Sequence, residues 1–388
     1  MTLAKQRSLR ILQVVGGMVR AGTETWLMNV LRHIDRDRFQ MDFLVHTTQP
    51  CAYDEEIRTL GSQIIPCLNR KQPWLYTRNF KRILREYGPY DIVHSHVHHF
   101  SGYVLRLAHN ASVPICIAHS HNNSLSIEVN AQWYRRFYCG LTKLLIARYA
   151  THGLAASRQA AMDLFGSSWE KDPRWRLLYC SINLNPFQNF AAPIAIRAEL
   201  GIPADAFVIG HVGRFEEQKN HTFIVDIAAE VVKREPKMRL LLVGHGCLYP
   251  DIEQKVAQLG LSEYVIFAGS RPDVPQLMLG AMNVFLFPSL YEGLGLVLIE
   301  AQAAGLTCLL SDVIPEEADV VKPLMHRISL SQPPSVWADQ VVAAKQNKSN
   351  ISQIEAFATV EKSLFNIQKG VKELERYYIE QSKQYLKF

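Results

Sequence analysis

Short apolar runs alternate with longer amphipathic stretches along almost the whole chain. The runs fall at residues 11–15, 41–45, 64–65, 91–93, 114–118 and 153–155, and resume at 207–212, 239–243, 264–267, 283–287 and 307–310. They read as buried strands interleaved with segments of helical spacing, the pattern of βαβ units and of parallel sheets covered on both faces. Between the two series, residues 181–187 read SINLNPF and precede a stretch interrupted by Pro, Ala and Gly at 191–206, so a domain boundary is expected near 185–200. The pattern predicts an α/β protein of two Rossmann-like, doubly wound parallel-sheet domains, residues 1–190 and 191–360, facing a central cleft. A polar helical tail, 361–388, with Tyr377, Tyr378, Tyr385 and Leu386, is expected to pack back on the first domain. One continuous sheet is disfavoured, because open twisted sheets rarely exceed about ten strands. Ligands of such folds bind beyond the carboxyl ends of the strands, so chemistry is sought in the strand-to-helix loops.

Of the 388 residues 48% are hydrophobic and 20% charged, which excludes a disordered, collagen-like or coiled-coil chain. The net charge of +6 is weak evidence for a polyanionic partner, and no nucleic acid is expected. Its distribution tells more: residues 1–190 hold 23 Lys and Arg against 13 Asp and Glu, a surplus of +10, while the remainder carries −4. Seven scattered cysteines without a CxxC pair fit a reducing cytoplasm better than a disulfide framework. The N-terminal MTLAKQRSLRILQVV runs into Gly16-Gly17 and reads as a first strand, not a signal peptide. No apolar stretch approaches the ~18–20 residues that cross a bilayer, so membrane association would be peripheral.

The most informative loop is 288–301, PSLYEGLGLVLIEA, which leaves a buried strand and enters a helix. A helix starting near Leu294 would aim free N–H groups and its positive dipole end at a diphosphate, with Gly293 and Gly295 allowing close approach. Glu292 would precede the helix and Glu300 would lie nearly two turns in, a spacing suited to a nucleoside diphosphate sugar: one carboxylate on sugar hydroxyls, the other on the ribose diol. The bland alternative is a pair of ordinary helix-start and helix-surface glutamates. Arg214 and Lys219, in one loop after a strand, could hold a diphosphate and offset the charge that grows as it leaves. Two solvated cations beside Glu216 and Glu217 are the alternative.

In chain order, Gly213-Arg214-Phe215 with Lys219, Gly244-His245-Gly246, Pro288-Ser289, and Glu292 with Glu300 resemble the donor domain of glycosyltransferase family 4, retaining enzymes of the GT-B fold. The resemblance covers nearly the whole chain. Residues 16–25 (GGMVRAGTET) and 51–56 (CAYDEE) are similar to the bacterial exopolysaccharide and capsule branch of that family. The resemblance implies that Arg214 and Lys219 bind the donor diphosphate, Glu292 the donor sugar and Glu300 the ribose. Gly293, Leu294, Gly295 and Leu296 then form the amide-rich helix start, Gly244 belongs to the neighbouring donor loop, and Gly269, Ser270 and Arg271 frame the base. Gly16 and Gly17 approach the donor phosphate or the acceptor, and Arg20 is an additional contact there. An active-site histidine follows the fifth strand, with His119 the first choice and His121 the second. Asn283 stands where the family often has aspartate, and Gly295 adds a glycine beside the donor sugar.

His94, His96 and His98 alternate as metal ligands on one strand face could, but they lack a carboxylate or cysteine companion. The resemblance makes His96 a cleft-wall residue, a contact for acceptor or phosphate together with His121. No metal is expected, and the DxD-like Asp35-Arg36-Asp37 reads as a solvated turn. Gly16-Gly17 with Gly22 lacks the GxGxxG spacing of a dinucleotide enzyme. Residues 133–149 form a cationic, aromatic, amphipathic stretch that could lie on an anionic membrane; a core helix with a basic outer face is the alternative. Arg70, Lys71, Trp74, Lys81, Arg82 and Arg85 add to the same surplus. The resemblance thus implies a retaining, metal-independent hexosyltransferase without cofactor. It would move a sugar from a UDP-sugar to a polyprenyl-diphosphate-linked oligosaccharide, in exopolysaccharide or capsule synthesis, in the cytoplasm or peripherally on the inner membrane face. A nucleotide-sugar epimerase, which needs no acceptor, and a non-catalytic sugar-nucleotide-binding subunit are the other readings.

Overall fold

The computed structural model describes residues 7–123, 132–188, 193–347 and 350–385. Part of the stretch expected to hold the domain boundary, residues 189–192, lies outside the described residues, as does Leu386. The chain divides into two compact units, Met1–Ser181 with Ile367–Phe388, and Ile182–Asn366.

The first unit is built on β1 (Leu9–Val15), β2 (Phe39–Val45), β3 (Ile64–Pro66), β4 (Ile92–Ser95), β5 (Ile115–Ser120), β6 (His152–Ala155) and β7 (Trp175–Leu177). These form one parallel sheet in the order β3-β2-β1-β4-β5-β6-β7. Leu12, Val14, Val93, Cys116 and Ala118 point to one face, where they pack with Phe80, Val104, Ile146 and Leu164 from the following helices. On the other face Gln13 is in register with His94, and His94 with Ile117. The helix Gly22–His33 brings Trp26 over that face, and the C-terminal helix Ile367–Tyr385 buries Tyr378 in it.

The second unit repeats the plan with β8 (Phe207–Val212), β9 (Met238–Val243), β10 (Val265–Gly269), β11 (Val284–Phe287), β12 (Thr307–Ser311) and β13 (Met325–Ile328), parallel and ordered β10-β9-β8-β11-β12-β13. Asn283 is a structural tie here: its Oδ1 accepts from the Val208 N–H at 2.8 Å and from Arg197 at 2.9 Å, fixing β11 beside β8. Two strands, β7 and β13, go beyond the sequence pattern. Both are short edge strands, WRL and MHRI, whose Arg and His side chains break the apolar run.

Candidate functional site

In the second unit the donor-loop candidates gather at the carboxyl ends of the strands. β8 runs into Gly213 and Arg214, and a single 3-10 turn, Glu217–Lys219, ends at Asn220, which turns left-handed (φ 57°) to start the helix His221–Val232. That reversal sends Lys219 back over the sheet, with Nζ 4.8 Å from the Phe287 ring centre and 2.5 Å from Glu292 Oε1. Gln218 donates to Glu292 Oε2 at 3.2 Å and to the Tyr291 carbonyl at 3.0 Å, while Asn220 donates to the Pro288 carbonyl at 3.1 Å. The two amides were not picked out in the sequence, although both flank the lysine. Arg214, half exposed, is 2.6 Å from Glu216 Oε1. Each predicted phosphate-binding cation is therefore already paired with a carboxylate of this chain.

Gly244 sits at φ 140°, and a Cβ there would stand 2.0 Å from the Gly213 carbonyl, so this glycine serves the close approach of two loops. Gly269 ends β10 with φ 65°. Arg271 is held by Asp273 at 2.6 Å and Glu199 at 2.8 Å, and these hydrogen bonds push its pKa up. The critical helix is Leu296–Ala303, two residues later than expected near Leu294, because Gly295 takes the left-handed cap position (φ 85°). No side chain caps it; the Leu298 N–H is spent on the Gly295 carbonyl at 2.8 Å, and the N–H groups of Leu296 and Val297 precede it at the open end of the helix. Gly293, Leu294 and Gly295 are buried beneath that turn. Glu300 is then the fifth helical residue, only about 6 Å along the axis from Leu296. Burial pushes its carboxyl up to about 7.

In the first unit Gly16 and Arg20 are exposed beyond β1, whereas Gly17 is buried against Thr47 and Cys51. His119 is fully buried, edge-on to Trp26 with ring centres 5.2 Å apart. His119, the first choice for an active-site histidine, thus lies inside the layer under Trp26. His121, just past the end of β5, is partly exposed. Its Nε2 is 2.8 Å from His96 Nδ1 and its Nδ1 is 3.4 Å from Cys180 Sγ. Burial lowers His94, His96 and His119 well below the ordinary histidine value and His121 to about 3, so all four rings are neutral at pH 7.

His94 and His96 remain together, but His98 leaves the strand, adopts φ 50° and faces Asp163 at 3.1 Å. Among the described residues, donor atoms approach within 4.8 Å in the groups His94-His96-His119, His119-His121-Cys180 and His98-His99-Asp163. In the first two groups ring nitrogens are already bonded to one another or to protein side chains. Asp35, Arg36 and Asp37 are exposed in the turn before β2.

Two Rossmann-like units with such loops at their strand ends define the GT-B architecture of the glycosyltransferases. Residues 20–185 match Glycosyltransferase Family 4, and residues 194–358 match Glycosyl transferases group 1. The chain is 40% identical over 338 residues, 86% of its length and 87% of the relative's, to EpsF of Bacillus subtilis (strain 168), whose name assigns it provisionally to the glycosyltransferases. It is 26% identical over 239 residues, 58% of each chain, to the UDP-Gal:alpha-D-GlcNAc-diphosphoundecaprenol alpha-1,3-galactosyltransferase of Escherichia coli. The crystal structure of Anabaena Alr3699/HepE in complex with UDP and glucose matches its fold with a TM-score of 0.81 at 18% identity, over 96% of this chain and 99% of that one. The chain belongs to this glycosyltransferase family and is a nucleotide-sugar-dependent glycosyltransferase.

Proposed function

We propose that the protein is a retaining, metal-independent hexosyltransferase that moves a sugar from a UDP-sugar to a hydroxyl of a polyprenyl-diphosphate-linked oligosaccharide in bacterial exopolysaccharide or capsule synthesis. The observation that carries the reading is the Lys219–Glu292–Gln218 cluster beside the uncapped start of the helix Leu296–Ala303. The diphosphate takes the N–H groups of Leu296 and Val297 and draws Lys219 and Arg214 from their carboxylate partners, and those two cations supply the charge that a metal would otherwise bring. Both Glu292 oxygens are already held by donors, which suits a carboxylate that binds sugar hydroxyls rather than a covalent nucleophile. The acceptor oxygen bonds to the anomeric carbon on the face the diphosphate leaves. The anomeric C–O bond breaks, and the acceptor proton passes to the departing phosphate oxygen. Glu300 accepts from the ribose diol, and Gly269 to Arg271 border the base. In the other domain Gly16, Gly17 and Arg20 line the phosphate or acceptor side, and the active-site histidine is one of the pair His119 and His121, of which His121 is the more exposed.

The helix Trp133–Tyr149 supports the membrane part of the reading. Its outward face carries Trp133, Phe137 and Leu144, exposed by 79%, 69% and 69%, with Arg136 and Arg148 flanking them. A core helix would turn such residues inward; this one presents aromatic surface and positive charge together, as an interfacial helix does. The C-terminal helix and the first domain then form the acceptor side on the cytoplasmic face of the membrane. The relative that acts on a diphosphoundecaprenol-linked substrate points to the same acceptor class. The test is thermal protection by a panel of UDP- and GDP-sugars, followed by transfer to a polyprenyl-diphosphate saccharide. Stabilisation by UDP-sugars with retained anomeric configuration in the product is expected. Conversion of the donor to an epimer without acceptor, or UDP binding without transfer across many acceptors, would refute it.

A further inference from the structure

Seven buried or half-buried side chains of the first unit form one hydrogen-bonded series with Gln13 at its middle. Gln13 Oε1 is 2.7 Å from His96 Nε2, and Gln13 Nε2 is 3.3 Å from the Tyr378 hydroxyl. An amide oxygen only accepts, so His96 carries its proton on Nε2 and offers Nδ1 as a lone pair. His121 Nε2–H donates to that lone pair at 2.8 Å, which leaves His121 Nδ1 as an acceptor facing the Cys180 thiol at 3.4 Å. Burial pushes that thiol up, so it stays protonated and can donate.

The other arm is equally determined. Tyr378 accepts from the Gln13 amide and gives its single proton to His94 Nδ1 at 2.7 Å; His94 Nε2–H then donates to His119 Nδ1 at 3.1 Å. His119 Nε2 has no partner at ordinary hydrogen-bond distance, yet the Leu178 backbone nearby raises its proton affinity. The Leu178 N–H is spent on the Ala155 carbonyl at 2.9 Å, so the group acting on His119 is the Leu178 carbonyl. Rotating the Gln13 amide by half a turn would reverse every bond and set the His119 lone pair against that carbonyl oxygen. In the orientation in the structure each bond of the series runs from a donor to an acceptor, and only the terminal His119 Nε2–H lies beyond hydrogen-bond distance of its nearest carbonyl.

We propose that Gln13 is a positioning residue that sets the tautomer of His121 through His96, so that His121 presents an acceptor, Nδ1, at the open end of β5. The ligand group it can receive there is a hydroxyl, which would replace the weakly bound thiol; a phosphate oxygen, itself an acceptor, is refused. This last step rests on the placement of His121 in the active site, whereas the tautomer assignment does not.

The test is nitrogen NMR of the full-length protein with labelled histidines, since protonated and bare ring nitrogens resonate far apart. In the wild type His94, His96, His119 and His121 should all carry the proton on Nε2. Gln13→Met, which keeps volume but removes the amide, should unpin His121 to a tautomer mixture and lower turnover. Tyr378→Phe removes the hydroxyl that orients the Gln13 amide and should unpin His94 and His119, with His121 following through the freed amide, so it also serves if Gln13→Met fails to fold. A wild-type His121 protonated on Nδ1, a His121 tautomer unchanged in Gln13→Met, or a Tyr378→Phe protein in which His94 and His119 keep single tautomers would overturn the proposal. Tautomers that shift as stated with turnover untouched would support the role of Gln13 while retiring the active-site reading of His121.

Discussion

The two domains share a sheet plan and differ in what they place at the strand ends. The second holds its candidate groups as ions in pairs, Lys219 with Glu292 and Arg214 with Glu216, the first of these mostly buried. The first holds neutral imidazoles, a thiol, a phenol and an amide in a directed series. The reason is electrostatic. A carboxylate and an ammonium 2.5 Å apart offset one another as an ion pair, whereas burial, and after it the neighbouring rings, keeps the histidines of the first domain unprotonated. Charge is what a diphosphate demands, and an ion pair stores it at low cost until a ligand takes one partner. A neutral series has no net charge to offer, but it fixes which atom donates and which accepts.

The sharpest way to break this contrast is Lys219→Ala. Removing a cation placed to meet developing charge should lower kcat/KM by about 10²–10³-fold, and Glu292→Gln should act in the same direction, a loss of turnover larger than the drop in stability from leaving a buried Glu292 unpaired. His119→Ala should do the reverse. It removes a fully buried ring from the packing under Trp26, so thermal stability should fall by about 2–3 kcal/mol. A stable His119→Ala protein with turnover abolished would show that the buried layer is chemical rather than supportive.

How much of this was legible follows the same physics. Central strands announce themselves because both faces are buried and most residues are apolar; β7 and β13, at the edges, are short and carry Arg and His, so they leave no run to read. Arg214, Lys219, Glu292 and Glu300 stand out as loop and helix-start groups, but their pairing depends on the left-handed turn at Asn220, which no periodicity reveals. His119 and His121 lie two apart and share one face, so only the overlying Trp26 and the end of the strand decide which is sealed in. Gln13 did leave a signal, as the one uncharged polar residue in LRILQVV. The stretch 133–149 reads either as a membrane-surface helix or as a core helix with a basic outer face, and only the exposure of Trp133, Phe137 and Leu144 separates the two.

That helix gives the next measurement. Phe137→Ser should weaken binding of the full protein to vesicles of anionic phospholipid by about tenfold, the loss of roughly half a buried aromatic side chain, and leave turnover on a water-soluble acceptor unaltered. Wild-type protein that fails to sediment with such vesicles at low salt would remove the membrane role from the first domain and leave its positive surplus to be explained otherwise.

The smallest expected effect lies in the second domain, where Glu300 is the exception to its ionic character. Its folded-state pKa, about 7, lies above the ordinary value of 4.5 because burial penalises the carboxylate. The folded protein therefore binds more protons than the unfolded chain between those values, so this group's contribution to stability is complete below pH 4.5 and is lost as pH rises through 7. Glu300→Gln carries no such term and should be the more stable protein at pH 8, by about 1–3 kcal/mol, with the difference vanishing at pH 4. Donor affinity should run the other way. If Glu300 accepts from the ribose diol as proposed, wild-type binding of a protecting UDP-sugar should rise a few-fold from pH 6 to 8 as its carboxylate becomes ionised, and the glutamine variant should show a flat, weaker profile. Equal pH profiles in the two proteins would move Glu300 from the donor site to the packing of its helix, and the ion-pair loop around Lys219 would then have to hold the nucleotide without it.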